Sequence, residues 1–261
     1  MPMFILLYGV IMISNCQDNL LKKEEYQRMA EKENFHWWFV GKRAILNSVL
    51  KRYLNGVDNL ILDVGCGSGG NILFLKDFGS VVGIDPAKEA LDFCRERGFK
   101  ELVLGRAESI SYPDNHFDLV TAFDVLEHLE QDITALEEMK RVSRGLVMVS
   151  VPAMPFLWNA QDEYLGHRRR YRKKDLIKKL EQVGLKVLES SYFVIPSVPA
   201  IIIRRFFEKI FLPNQRPHNF DFILPGPINS IFTAWLKLES LFLRSVPIMF
   251  GSSLYIITTK K

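Results

Sequence analysis

The sequence predicts an α/β protein built on a doubly wound, largely parallel sheet. Three observations predict it. Short apolar runs alternate with helical patterns between residues 60 and 193. One run, Leu60-Ile61-Leu62, ends in Asp63 and breaks into Gly65, Gly67, Gly69 and Gly70 before a helical pattern with Ile72, Leu73 and Leu75. Two later runs also end in an acid, at Asp85 and Asp124. In an open α/β sheet the ligand lies at the carboxyl ends of the strands, so these are the first candidate site residues.

The elements follow in order. Pro2 to Ser14 is almost wholly apolar but too short to span a bilayer. No Lys or Arg precedes Lys22, which argues against a signal peptide; the stretch reads as a peripheral anchor, a packed extension or an overextended start. Asn19 to Glu33 is charged and helix-forming. An aromatic knot, Phe35-His36-Trp37-Trp38-Phe39, comes next, then Lys42 and Arg43. Ala44-Ile45-Leu46 with Val49, Leu50 and Tyr53 predicts an amphipathic helix ending near Asn55-Gly56. Residues 1–55 are therefore expected to form an extension and a helical lid over the glycine loop.

Strand, loop and helix occupy 60–77, and a second strand, Val81 to Ile84, runs into Asp85-Pro86. A helix over Ala87 to Arg97, a strand at Leu102 to Leu104 and a turn at Pro113-Asp114-Asn115 lead to a fourth strand, Phe117 to Phe123. A helix over Ile133 to Val142 and a strand over Leu146 to Val151 complete the alternation. Asp175 to Val183 predicts a helix closed by Gly184, Lys186 to Phe193 a sixth strand and Leu254 to Thr259 a last one. Residues 194–250 are rich in Ile, Phe, Leu and Pro and lack alternation. They are expected to be a helical insertion between two strands of a hairpin, leaving 56–193 plus 251–261 as the main domain.

At 261 residues the chain can bury a full core, and 48% apolar residues leave no disordered tail. Net charge is only +4, so charge alone does not indicate nucleic acid. Three cysteines, Cys16, Cys66 and Cys94, form no metal or redox spacing, and no metal is expected. An odd count without a framework points to a reducing cytosol.

Two cofactors fit the glycine loop. Gly65, Gly67 and Gly70 satisfy the dinucleotide pattern G-x-G-x-x-G; Asp63 with Gly65, Gly67 and Gly69 satisfies D-x-G-x-G-x-G. The glycines alone leave both open. Asp85, 22 residues after Asp63, offers two acceptor oxygens to ribose hydroxyls in either case.

The surrounding motifs carry a resemblance. Asp63 to Gly69, Ser109 to Phe117, Asp118-Leu119-Val120 and Phe123-Asp124-Val125-Leu126-Glu127-His128 resemble class I S-adenosylmethionine-dependent methyltransferases of the type 11 kind. No Tyr-x-x-x-Lys of a dehydrogenase occurs. A narrower resemblance, to a group associated with polysaccharide and glycan biosynthesis, rests on His36, Trp38-Phe39, Arg43, Val151-Pro152-Ala153, Leu157-Trp158, Asp162, Gly166 to Tyr171 and Gly251-Ser252-Ser253.

The resemblance implies a Rossmann-like seven-stranded sheet of order 3-2-1-4-5-7-6 with the last strand antiparallel, and S-adenosylmethionine as cofactor. It implies that Asp63 orients the cofactor or holds the loop. Gly65, Cys66, Gly67 and Gly69 would back the methionine and ribose, and Asp85 with Pro86 the ribose. Ala107 and Glu108 would flank the adenine, and Asp124 and Val125 the methionine. Arg106 stands where the family often has Asp, and Arg144-Gly145 replaces the usual Pro-Gly-Gly turn.

The acceptor is expected to be a sugar or lipid-linked glycan hydroxyl, with a quinone or other lipid as the alternative; a non-catalytic cofactor-binding module is a third reading. A hydroxyl acceptor needs a base, for which His128, His167, His36 and Asp162 are the candidates, His167 foremost. His36, Trp38, Arg43, Arg168, Arg169, Arg170 and Tyr171 are expected to contact the acceptor. His167 to Lys179 holds eight Lys or Arg against one Asp, a candidate phosphate grip. Without aromatic interleaving it does not predict a nucleic-acid partner. The apolar insertion suits either a helical cap or peripheral contact at the inner face of the membrane.

Overall fold

The computed structural model describes residues 23–211, 224–244 and 246–260. The apolar N-terminal stretch and Cys16 lie outside them. The chain begins with α1 (Lys23–Lys32) and α2 (Trp37–Leu50), then enters the sheet through β1 (Asn59–Val64). There follow α3 (Ile72–Leu75), β2 (Gly79–Asp85), α4 (Lys88–Glu96), β3 (Leu102–Leu104), β4 (Phe117–Phe123), α5 (Asp132–Val142) and β5 (Ser143–Pro152). After β5 come a 3-10 turn (Pro155–Leu157), α6 (Ala160–Tyr164), α7 (Lys173–Gln182) and β6 (Leu185–Phe193). The insertion contains α8 (Ser197–Phe211) and α9 (Gly226–Phe242), and β7 (Ser253–Lys260) closes the chain.

The seven strands lie in the order β3-β2-β1-β4-β5-β7-β6, as expected. β1 to β5 run parallel; β7 runs antiparallel to both β5 and β6. Parallel strands are covered on both faces, and their residues divide by the two-residue period of the strand. Leu62, Val64, Val120, Val147, Val149 and Ile256 pack with Leu136 and Met139 of α5 and Leu176 and Leu180 of α7. Ile61, Leu119, Met148, Tyr255 and Ile257 face the other way, onto Ile45, Leu46 and Val49 of α2 and Leu75 of α3.

Two elements depart from the sequence reading. The helix expected from Ala44 already begins at Trp37, so the last three residues of the aromatic knot form the first turn of α2. His36 caps this helix, its Nδ1 accepting from the Trp38 N–H at 3.3 Å. The helix stops at Leu50, short of Asn55-Gly56. The second departure is α6, too short for an apolar period to reveal. A capping box starts it: the Asn159 side chain accepts from the Gln161 N–H, and Asp162 accepts from the Asn159 N–H at 2.9 Å.

The insertion joins the second face of the core. Leu236 and Leu243 of α9 are buried among the α2 residues. The Asn229 amide accepts from the Trp37 N–H at 2.9 Å and donates to the Phe35 carbonyl at 2.8 Å. Glu239 is buried and accepts from the N–H groups of Val194 and Ile195 at 2.7 and 3.2 Å. Val194 is β-branched yet sits at φ 61°, so this carboxylate holds a strained corner at the end of β6. Gly41 lets α2 and α9 approach, since a Cβ there would overlap Leu236. Gly41→Val is expected to cost about 1–3 kcal/mol by overpacking this contact, read as a lower midpoint in thermal melting.

Candidate active site

The loop after β1 is shaped by positive φ. Gly65, Gly67 and Gly69 have φ of 69°, 54° and 88°, a region L side chains rarely enter. Gly65 has a second constraint, because a side chain there would strike Val125 after β4. The loop is also pinned from below. The Asp85 carboxylate at the end of β2 accepts from the Gly67 N–H and from the Ala87 N–H, each at 2.9 Å. Cys66 turns its thiol into the small core with Ile72, Leu91 and Cys94. Its contribution to the loop surface is therefore backbone.

Asp63 is fully buried beneath the loop. Its Oδ1 accepts from the Thr121 hydroxyl at 2.8 Å and its Oδ2 has no partner among the described residues. Burial pushes its pKa up to about 7 against the opposing hydrogen bond of Thr121 and the charge of Lys42. Asp124 ends β4 at φ 57°, unusual for a residue with a side chain. Its carboxylate is ion-paired with Lys42, a buried lysine of α2 that also lies 5.1 Å from the centre of the Trp38 ring.

These groups open into one cavity of 1320 Å³. Its cofactor half is lined by Gly65, Cys66, Gly67, Asp85, Pro86, Ala107, Glu108, Asp124 and Val125. Those residues come together as expected, with Asp63 and Gly69 behind them. Arg106 also lines it and ion-pairs with Glu108 at 3.3 Å.

The segment expected to form a lid is held to the domain by several contacts. Tyr26 of α1 packs on Ala87, Ala90 and Phe93, and burial followed by the Asp85 charge raises its pKa. Glu33 accepts from the Ser68 hydroxyl at 3.2 Å and ion-pairs with Arg97. Arg43 donates to the Glu33 carbonyl. His36, Trp38 and Arg43 all line the cavity, but His36 is spent as a helix cap and Arg43 as a lid tether. Sequence reasoning assigned no role to Lys42 or Glu33. Only the docking of α1 and α2 brings Glu33, just after α1, to Ser68 of the loop and Lys42 of α2 to Asp124.

The other half of the cavity is built by Glu127 and His128 after β4 and by the segment after β5. His167 Nδ1 lies 2.8 Å from Asp162 Oδ1. Burial works to raise the Asp162 pKa, but His167 and Arg170 outweigh it and hold the carboxyl below its ordinary value. His128 packs edge-on to His167, ring centres 4.8 Å apart. Burial, then the nearby His167, pushes its pKa down to about 4. Glu127 is completely buried, and both its oxygens lack a partner among the described residues. Burial, then the charge of Asp124, pushes its pKa well up.

The expected grip of Arg169, Arg170 and Tyr171 is corrected by their contacts. Arg170 Nε donates to both oxygens of Asp162 at 2.9 Å, which occupies this buried carboxylate as well. Arg169 donates to the Leu129 and Glu130 carbonyls at 2.9 and 3.2 Å. The Tyr171 hydroxyl donates within a buried contact to Asp132 Oδ2 at 2.7 Å. These side chains build the wall of the site. Arg168 remains exposed at the cavity, with Nε donating to the His128 carbonyl at 3.2 Å.

Residues 62–148 match the family model described as a methyltransferase domain. Over those residues, one third of its length, the chain is similar to a methyltransferase domain. Its cofactor is S-adenosylmethionine. An S-adenosylmethionine-dependent methyltransferase from Thermotoga maritima has the same fold, with a TM-score of 0.56 at 17% identity over 91% of this chain and 96% of that one. An uncharacterised methyltransferase from Schizosaccharomyces pombe is 34% identical over 113 residues, 38% of this chain and 40% of its own. The chain thus spans less than half of that relative. A demethylmenaquinone methyltransferase from Anoxybacillus flavithermus is 29% identical over 167 residues, 57% of this chain and 70% of its own.

The methyltransferase domain fits its cofactor on its own geometry. The loop presents bare main chain, Asp85 faces the same space as a ribose acceptor, and the acids around it suit a sulfonium and an amino group. Asp63 sets a pH dependence. In the unfolded chain it ionises near 3.8, in the fold near 7, so the unfolded state releases its proton first. That contribution to stability is present below pH 3.8, declines as pH rises, and is lost above 7. Asp63→Asn is expected to flatten the stability profile between pH 4 and 7. It should stabilise the cofactor-free protein near pH 8 by up to about 4 kcal/mol relative to wild type. Urea melts across that range check it.

Proposed function

We propose that the protein transfers the methyl group of S-adenosylmethionine to a hydroxyl of a lipid-linked glycan. The observation that carries this reading is that the cofactor loop and the apolar insertion line the same cavity. Pro196, Ala200 and Ile201 at the start of α8 and Phe232 of α9 line it together with Gly65, Gly67 and Asp85. A polar acceptor end would meet the His128 and His167 side, and an apolar tail the helices.

The cofactor supplies a methyl group already activated by a sulfonium. The chain has to orient the acceptor in line with it and take charge of one proton. The loop and Asp85 hold the cofactor from below, and α1 with Glu33 covers it. Asp162 fixes His167 through Nδ1, which leaves Nε2 for the acceptor hydroxyl. Asp162 itself orients and does not act as base, since Arg170 and His167 already occupy its oxygens.

The outer face of α9 supports the lipid part. Ile231, Trp235, Leu238 and Phe242 follow a helical stripe and are exposed, while Leu236, Glu239 and Ser240 face the protein. Ile202, Ile203 and Phe206 of α8 are exposed as well. No helix among the described residues is long and apolar enough to cross a membrane. The stripe therefore suits peripheral contact with a bilayer surface, where the acceptor resides. A quinone is the second reading, favoured by the same apolar wall and by the likeness to a demethylmenaquinone methyltransferase.

Incubation of the protein and radiolabelled S-adenosylmethionine with fractionated envelope extracts tests the function. Label is expected in a lipid-linked glycan fraction; label confined to the quinone fraction supports the second reading, and no transfer to any fraction refutes both. His167→Ala is expected to lower turnover at least 100-fold on that acceptor while leaving cofactor affinity within about threefold. Flotation with anionic vesicles should recover the wild type, and Trp235→Glu with Phe242→Glu should stay at the bottom of the gradient.

A further inference from the structure

We propose that Glu127, His128 and His167 form a site for one divalent transition-metal ion in the acceptor half of the cavity. Among the described residues these three side chains each offer one ligand atom, and the three atoms lie within 4.8 Å of one another. All three residues line the cavity. Around a tetrahedral ion, ligand atoms about 2.0–2.2 Å from it lie roughly 3.5 Å apart. The three atoms are thus within about 1.3 Å of that spacing, and side-chain rotations close the difference.

Glu127 is the independent observation. A carboxylate removed from water is costly unless it is paired or hydrogen-bonded. Glu127 is fully buried, and neither oxygen has a partner among the described residues. The nearby cation, Lys42, is engaged with Asp124 instead. A metal ion would satisfy these oxygens and supply the missing positive charge.

The histidines are held as ligands are held. His167 has Nδ1 against Asp162, the carboxylate–histidine arrangement that fixes the tautomer and leaves Nε2 with its lone pair outward. Asp162 is in turn clamped by both contacts from Arg170 Nε. His128 bonds the Gly166 backbone through its ring, which leaves the other nitrogen available. Two imidazoles and a carboxylate are a donor set for zinc, manganese or iron and a poor one for magnesium. Sequence spacing does not reveal it, because His167 reaches Glu127 and His128 only after β5 and α6 are folded. The Arg168 N–H donating to the Glu127 carbonyl at 2.8 Å fastens that segment in place.

A role for the ion rests on the function proposed above, with His167 Nε2 then acting on the hydroxyl through the ion and not as the base itself. Bound to the ion, the acceptor hydroxyl loses its proton to water more readily, as a metal-bound water does. The oxygen then takes the methyl carbon, the carbon–sulfur bond breaks, and its electron pair remains on sulfur as a neutral thioether. No electron is gained or lost overall. Three ligands from the chain leave coordination positions open for that oxygen.

The test begins with protein dialysed against a chelator and titrated separately with zinc, manganese and magnesium chlorides by calorimetry. Metal content after gel filtration is read by mass spectrometry. One zinc or manganese per chain is expected. Glu127→Gln and His128→Ala should each weaken binding at least 100-fold, and Asp162→Asn should weaken it about 10- to 100-fold while leaving the fold intact by circular dichroism. No saturable binding of zinc or manganese by wild type, or unchanged affinity in the folded variants, overturns the site. If metal binds but no envelope fraction accepts a methyl group, the proposed function fails and the site stands. If methyl transfer proceeds undiminished after chelation, the role given to the ion fails.

Discussion

The structure depends on one electrostatic constraint at the carboxyl edge of the sheet. Asp63, Asp85, Asp124 and Glu127 converge there, and Asp63, Asp85 and Glu127 are buried. Burial raises the pKa of each of those three, so each opposes folding in its charged form. The chain answers them with little: two backbone N–H groups on Asp85, one hydroxyl on Asp63 and the buried Lys42 on Asp124. A site so rich in uncompensated negative charge is pre-organised for a positively charged ligand. A sulfonium cofactor meets that demand, and a metal ion beside Glu127 would meet the remainder.

Lys42 also explains the lid. It belongs to α2, which packs along the second face of the sheet, and so it ties the lid to the same edge that binds the cofactor. Glu33 makes the complementary contact, an acid delivered to Ser68 of the loop with Arg97 as its counter-ion. One charge from each side of the lid is thus matched within the domain. α1 and α2 are held against the domain by specific pairing as well as by the aromatic contacts that their sequence advertises.

Legibility followed locality. The strands and the acids Asp63, Asp85 and Asp124 were readable, because strand ends and glycine turns are written in adjacent residues; the strand order came with the family resemblance. The cofactor half followed from them. Lys42 and Glu33 were not readable, since a helix carries no local sign of where its charges will dock. The basic run at 168–170 misled for a related reason. Its spacing resembles a phosphate grip, yet Arg169 and Arg170 fold back onto the carbonyls of residues 129–130 and onto Asp162. A buried carboxylate elsewhere in the chain had already claimed the guanidinium.

The two halves of the cavity therefore differ in what determines them. The cofactor half is made by strand ends within 62–148, where the fold itself fixes backbone geometry. The acceptor half is made by α2, the 155–171 segment, α8 and α9, none of which the sheet dictates. Only Glu127 and His128 sit on the border. They follow directly from Asp124, whose left-handed backbone turns the chain from β4 toward the acceptor side. Because α9 is apolar on both faces, it satisfies the core with one and leaves the other without a protein partner among the described residues. A helix of that kind is stable in water only because its inner face is held, here by Leu236, Ser240 and Leu243 against α2 and by Glu239 at the strained Val194 corner. The insertion is thus anchored firmly enough to present an apolar stripe, and it does so beside the cavity.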